Sequence, residues 1–511
     1  LLVVKSIGCA QTAGSNPYES VTWSVPETEL DRLVLAKLAE QGIEPAHPCS
    51  DAVFFRRVYV DVIGTIPDAK DTYAFLEDKR PNKRAELIDK LLARPEFADY
   101  WTLKWCDLLR VKAEFPINLW PNGVQAYSRW IHDAVATNMP YDRFARELLT
   151  SSGSNFRVPA VNFYRAVQGR KPEDIAKAVA LTFMGTRLDS WPEKQRADMA
   201  VFFSRVAFKG TSEWKEEIVC LDPAPKGPLT ATLPNGTTVK IGPDEDPRQV
   251  FANWLISPGN PWFSKAIANR VWSWLMGRGI IHEPDDIRPD NPPANPQLLA
   301  YLQKQLMDSN WDLRALFRLI LNSRTYQQSS IPRSNKPEAL SLSAYYPVRR
   351  LPAEVLRDAL SYLGGTGEGY SSAVPEPYTW IPEYQRAITL YDGSITSQFL
   401  ETFGRPPRDT GLESERNNEP TDAQRLYLIS SAELQRALDR SPRLKTLVEA
   451  AGRDQRRLVQ WVYLTILARY PTAEEEAAAL KYYHGGKVGV TQATTDLAWA
   501  LINTKEFLYR H

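Results

Sequence analysis

Two short stretches concentrate the side chains that can hold a proton, a metal or an anion. The first reads His282-Glu283-Pro284-Asp285-Asp286-Ile287-Arg288-Pro289-Asp290. Its prolines forbid a regular helix, so it is a shaped loop. Asp285, Asp286 and Asp290 offer oxygen ligands to Ca²⁺, although their spacing is not that of an EF-hand. The same carboxylates can act as acid and base, or Asp286 and Arg288 can simply pin the loop by salt bridges and caps. The second stretch runs from Arg405 to Glu419. There Arg405, Arg408 and Arg416 alternate with Asp409, Glu413, Glu415 and Glu419. Charge of that density must be paired if it is buried. It forms either a structural ion-pair network or one wall of a cleft in which arginines take a carboxylate, a sulfate or an acidic sugar. Both stretches are loops dense in charge, and complementary loops are the nearest partners for one another. Asp285, Asp286 and Arg288 are therefore expected to meet Arg405, Arg408, Glu413, Glu415 and Arg416 in space. Tyr378, Trp380 and Tyr391, in the preceding loop, suit stacking on sugar rings and apolar packing equally well.

Other chemistries find no support. The five histidines (His47, His132, His282, His484 and His511) make neither HExxH nor HxH, which argues against a zinc hydrolase. No GxSxG occurs. The four cysteines, Cys9, Cys49, Cys106 and Cys220, contain no CxxC spacing, and a disulfide cannot be inferred from them. Cys106 reads as a small buried hydrophobe in a helix. The Gly364–Gly369 run fits neither a Walker loop nor a dinucleotide fingerprint and reads as a flexible loop. Lys plus Arg is 62 against 61 Asp plus Glu, so no basic field points to nucleic acid or an anionic membrane. No apolar run approaches the roughly 20 residues that span a bilayer. Leu1 to Lys5 reads as the remnant of a longer precursor, and Ser6-Ile7-Gly8-Cys9 faintly resembles a lipoprotein cleavage site.

The elements that must position these loops are mostly helical. Leu30, Leu33, Val34 and Leu38 share one helix face, and Phe97, Tyr100, Trp101, Trp105, Leu108 and Leu109 make a wide apolar stripe. Similar patterns cover about 54–63, 122–138, 141–149, 171–185, 247–256, 261–276, 296–309, 312–323 and much of the chain after 421. The pattern breaks near 216. Glu216–Val219 reads as a strand, and Thr230–Leu233 and Thr237–Ile241 flank Pro234-Asn235-Gly236, a hairpin signal. The expectation is a mainly α fold: a helical domain over 20–215, a β-hairpin linker over 216–245 and a second helical domain over 246–511.

Several blocks are family-like. Arg56-Arg57-Val58-Tyr59-Val60-Asp61-Val62-Ile63-Gly64-Thr65-Ile66-Pro67, Leu91–Phe97, Met139–Phe144, Gly153–Arg157 and Asn162–Arg165 resemble the PSCyt-two domain, found beside planctomycete-type cytochrome c domains. The second half resembles its usual companion, PSD-one, through Asn269–Trp272, Gly277–Ile280, Pro284–Pro289, Asn322–Tyr326, Phe403–Arg408, Glu413–Arg416, Glu419–Thr421 and Asn503–Phe507. Many members carry a CxxCH haem motif after the block equivalent to Phe183–Arg187. Here Leu188–Lys194 contains neither Cys nor His, so this segment cannot hold a covalent c-type haem. Many members also have Cys-Glu-Cys where this chain has Leu412-Glu413-Ser414. The joint loss implies a haem-free subfamily.

The resemblance implies location and company rather than a reaction. Members tend to look secreted and to carry cytochrome, Ig-like or carbohydrate-binding modules beside sulfatase-like proteins. The leading expectation is a non-catalytic accessory or structural subunit of a periplasmic or extracellular assembly, partnered by other envelope proteins such as a cytochrome or a sulfatase-like protein. One rival is a carboxylate-based hydrolase or lyase acting on polysaccharide. Another is a haem-free partner of a c-type cytochrome in electron transfer. No enzyme class follows from these residues.

Overall fold

The computed structural model describes residues 16–224, 227–486 and 488–511. The opening residues Leu1–Lys5 and Ser6–Cys9, read above as a precursor remnant and a cleavage-like site, lie outside the described residues. Helices form where the apolar stripes fall. Glu29–Glu40 begins with a capping box in which Thr28 and Asp31 satisfy each other's backbone donors. Asp51–Ile63, Pro95–Leu108, Pro121–Ala136, Tyr141–Thr150, Phe263–Met276, Pro296–Asp308 and Leu313–Leu321 follow the expected spans, and Lys83–Leu92 is a further helix. Helix Ala353–Gly364 supplies Glu354 to the charged loops. Gly365, first residue of the glycine run after its helix, takes φ 71° and closes Ala353–Gly364 as a left-handed cap.

The β structure is larger and more divided than one hairpin. The hairpin is present: Leu229–Thr232 pairs with Thr238–Ile241, and Asn235 Oδ1 accepts the Thr237 N–H in its turn. The strand near 216 is Glu217–Leu221, but it is the centre of a separate three-stranded sheet. Val206–Gly210 flanks it on one side and Gly153–Ser154 on the other. Val206–Gly210 is the neighbouring arm of an antiparallel hairpin, whereas Gly153–Ser154 comes from a sequence-distant segment that local alternation does not reveal.

The family-like blocks prove to be joints. Arg56 donates to the carbonyls of Ile466 and Phe507, and Arg57 to those of Tyr326, Gln328 and His511. Buried Asp61 accepts from the hydroxyls of Tyr326 at 2.9 Å and Tyr346 at 2.8 Å, and pairs with Arg510. Asp31 accepts from both the backbone and the hydroxyl of Thr325. Each joint ties the first 215 residues to the last 200. Correspondingly, buried apolar side chains from Leu30 to Phe507 form one continuous cluster. The sheet region at 216–245 marks a change of secondary structure, and the buried cluster continues past it through both halves. The physical reason is that apolar stripes of helices from both halves face each other. Cys49, Cys106 and Cys220 are free thiols, Cys106 fully buried.

Candidate functional site

Helix Pro95–Leu108 carries Lys104 and Asp107 three residues apart, so both project toward the same side. That side meets the N-terminal turn of Ala353–Gly364 and the Arg405–Arg416 loop. Asp107 accepts from Arg408 Nε at 2.8 Å and from Arg416 Nη2 at 2.7 Å. Arg416 reaches Glu354 through Nη1 at 2.7 Å and through the same Nη2 at 3.1 Å, and Arg405 Nε lies 3.5 Å from Glu354. Arg405 also donates to the carbonyls of Leu390, Asp392 and Ile395, and Arg408 to that of Tyr391. Burial alone would raise the pKa of Glu354 and of Asp107. Arg416 with Arg405 beside the first, and Arg416 with Arg408 beside the second, hold both below the usual carboxylate range. Arg405, desolvated and next to Arg408, falls to about 10 and stays charged at neutral pH.

A second knot lies against the first. Fully buried Asp285 receives Arg270 Nη2 at 2.6 Å and the backbone N–H of Glu413 at 2.6 Å. Arg270 also donates to Thr182 and Leu181 carbonyls, at the end of a helix that closes in a π turn. Trp274 Nε1 donates to Glu413 Oε1 at 2.7 Å. Burial, then the charge of Asp285, pushes the Glu413 carboxyl above its ordinary value. Half-buried Lys104 has no hydrogen-bond acceptor and no carboxylate at ion-pair distance among the described residues, and its Nζ lies 5.7 Å from the centre of the Tyr100 ring. Desolvation, reinforced by Arg416, lowers the Lys104 ammonium to about 7. A small apolar cavity of about 40 Å³, lined among others by Trp101, Trp105, Tyr141 and Phe317, lies behind Trp274.

The two charged stretches thus meet, though through fewer residues than expected. Asp285 and Glu413 make the contact. Asp286 and Arg288 do not reach the second loop: Arg288 pairs with Asp286 at 3.1 Å and Asp290 at 3.2 Å near the surface. Asp285 therefore points inward while Asp286 and Asp290 point outward. The three carboxylates do not converge, and among the described residues no group of three or more His, Cys, Asp or Glu is placed to hold a metal ion. Glu415 stays within its own loop, where Oε1 accepts the Asp409 and Thr410 N–H groups. Arg405, Arg408 and Arg416 find their acids outside both stretches, in Asp107 and Glu354. Tyr391 packs beside His132 and donates to Asp99 at 3.3 Å, whereas Tyr378 and Trp380 are exposed.

Lys104, Asp107, Arg270 and Glu354 were missed by reading charge density along the chain. Each lies on a helix with a largely apolar buried face, outside the two charge-dense stretches. That is itself a signal, because a charge on a buried face must have a partner elsewhere.

A family model named PSCyt2, protein of unknown function (DUF1549), matches residues 29–191, and one named PSD1, protein of unknown function (DUF1553), matches residues 247–483. No curated protein and no solved structure matches the chain. Lys104 and Asp107 fall in the first match, and Arg270, Asp285, Glu354, Arg405, Arg408, Glu413 and Arg416 in the second, so the charged cluster is the seam between them. By the order and extent of these two matches, the chain belongs to the proteins that join a PSCyt2 region to a PSD1 region.

Proposed function

We propose that this chain is a haem-free, non-catalytic accessory or structural subunit of an extracytoplasmic bacterial assembly. The observation that carries the non-catalytic part is the closure of the charge network. Asp107, Glu354 and Asp285 have the chemistry of an acid or base, but arginines hold all three. Asp107 and Glu354, held below the usual carboxylate range by those arginines, stay ionised and cannot trade protons near neutral pH. The location rests on the company that PSCyt2–PSD1 proteins keep, and no helix among the described residues is long and apolar enough to cross a membrane. The haem-free assignment rests on Leu188–Lys194, which supplies neither thiol nor imidazole. Fractionation of the cells that make the protein, followed by native electrophoresis and a peroxidase stain of the denatured chain, tests each part. The chain should appear outside the cytoplasm, in a complex larger than its own 57.9 kDa, without haem stain. A cytoplasmic chain, or one that migrates alone, overturns the assembly reading, and a stained band overturns the haem-free one.

One observation favours a second reading, a carboxylate-based hydrolase or lyase acting on polysaccharide. Lys104 without a partner and Glu413 with a raised pKa adjoin each other's fields, and opposed shifts of that kind recur in acid–base pairs. Under this reading, polysaccharide incubated with the protein releases reducing ends or unsaturated products, and Glu413→Gln abolishes the release without lowering the melting temperature. Absence of products across neutral, uronate and sulfated polysaccharides removes it.

A further inference from the structure

Three aromatic side chains from three separate segments meet at the surface. Trp120 closes the loop before helix Pro121–Ala136, Trp214 precedes strand Glu217–Leu221, and Tyr378 lies in the loop after Pro375. Their ring centroids are 4.9 Å apart for Trp120–Trp214, 5.4 Å for Trp120–Tyr378 and 5.1 Å for Trp214–Tyr378. Rings in such contact usually make a core, but here Trp214 is 54% exposed and Tyr378 45% exposed. The backbone is held out of its comfortable regions to present them. Trp120 has φ 66° and ψ 151°, a conformation kept almost wholly for glycine, and Lys215 has φ 62°. Such strain persists only where surrounding structure imposes it, and it collects at ligand sites.

The fourth member defines the ligand. Lys215 Nζ sits 4.7 Å from the Trp120 ring and 5.7 Å from the Trp214 ring. Among the described residues no carboxylate pairs with it. The two acids that follow it in sequence are engaged elsewhere: Glu216 with Ser154 and Thr211, Glu217 with Arg165 and Arg170. An exposed ammonium bordered by π faces suits a molecule with one flat C–H face and an anionic group at its edge. An acidic pyranose has that form: its axial hydrogens lie on the rings while a carboxylate or sulfate ester reaches the ammonium. A single-stranded nucleic acid would also stack, but it needs a basic track for its phosphates, and the chain has a net charge of only +1. We infer that Trp120, Trp214, Tyr378 and Lys215 form a binding surface for an acidic polysaccharide. This surface is independent of the charged seam and of whether the protein is an accessory subunit or an enzyme.

Affinity electrophoresis of the full chain tests it, with gels containing polygalacturonate, a sulfated galactan, a neutral β-glucan or single-stranded DNA. One or both acidic polysaccharides should retard the wild-type protein, the first gel reporting uronate and the second sulfate recognition. Trp214→Ala and Tyr378→Ala, both at exposed positions, should each weaken retardation roughly tenfold. Lys215→Met should remove the preference for the acidic gels over the neutral glucan. Unchanged melting curves of all three variants keep the comparison one of binding. The inference is overturned if no acidic polysaccharide retards the protein, if retardation survives Trp214→Ala, if Lys215→Met leaves the acidic preference intact, or if DNA retards it as strongly.

Discussion

At the scale of single residues, Arg416 is the side chain on which the charged seam depends. It makes four hydrogen bonds to two buried carboxylates, one from each half of the chain. Arg416→Ala would leave Asp107 and Glu354 short of partners in a desolvated place, and removing one partner of a buried pair costs about 3–5 kcal/mol. Arg416→Lys should recover only a minor part, because an ammonium lacks the planar, paired donors with which the guanidinium engages both acids. Denaturant titration of the three proteins measures both; an Ala variant within experimental error of wild type would show that the seam is not structural. Lys104 is the opposite case, a charge that folding disfavours. Its folded pKa of about 7 lies below the unfolded value near 10.4. Between these values the unfolded chain binds more protons, so this residue's penalty is full below about pH 7 and fades as pH rises toward 10. Lys104→Met should therefore be more stable than wild type at about pH 6, by an amount that shrinks by about pH 9.5. A difference that does not change with pH would mean that Lys104 keeps an ordinary pKa. Asp358 has the reverse sign. Burial raises it to about 6, so the folded protein binds more protons than the unfolded chain between about pH 4 and 6, and this residue's contribution falls as pH rises through that window.

At the scale of elements, the Arg405–Arg416 loop is held by its ends. Gly404 takes φ 78°, and the Asn417 N–H returns to its carbonyl at 3.2 Å. A Cβ at Gly404 would lie 1.7 Å from the Asn417 carbonyl oxygen. Gly404→Ala must open that closure and displace Arg405 from Glu354. A loss of more than about 2 kcal/mol is expected, since both the positive φ and the contact oppose the methyl group. Thermal unfolding checks it, and a shift of under a degree would show that the loop can move as a unit. Helices such as Leu30–Leu38 and Phe97–Leu108 were legible because a 3.6-residue stripe is a local property. The hairpin at 229–241 was legible because Pro234-Asn235-Gly236 names its own turn. Strands Gly153–Ser154 and Val206–Gly210 were not, since each is a strand only by virtue of Glu217–Leu221 lying beside it.

At the scale of the whole molecule, the joints around Arg56, Arg57 and Asp61 predict that neither half is an independent unit. Expressed alone, residues 16–215 would expose the apolar faces that pack on Tyr326 and Phe507 and leave Asp61 without its two tyrosines and Arg510. That fragment should lack a cooperative thermal transition and protected amides, and recover both on mixing with residues 246–511. A cooperative, protected fragment by itself would show two cores after all. What the sequence alone determined is the set of short-range facts: mainly helical elements, the hairpin, and the pairing of a PSCyt2 with a PSD1 region. It also placed Asp285 near Glu413, since two charge-dense loops need partners. Only the tertiary structure decided that Asp286 and Arg288 stay at the surface, that Asp107 and Glu354 are the acids the arginines seek, and that both halves share one core. Those outcomes turn on which faces meet across more than 200 residues of chain, and the energy of a buried charge depends on that meeting rather than on its neighbours in sequence.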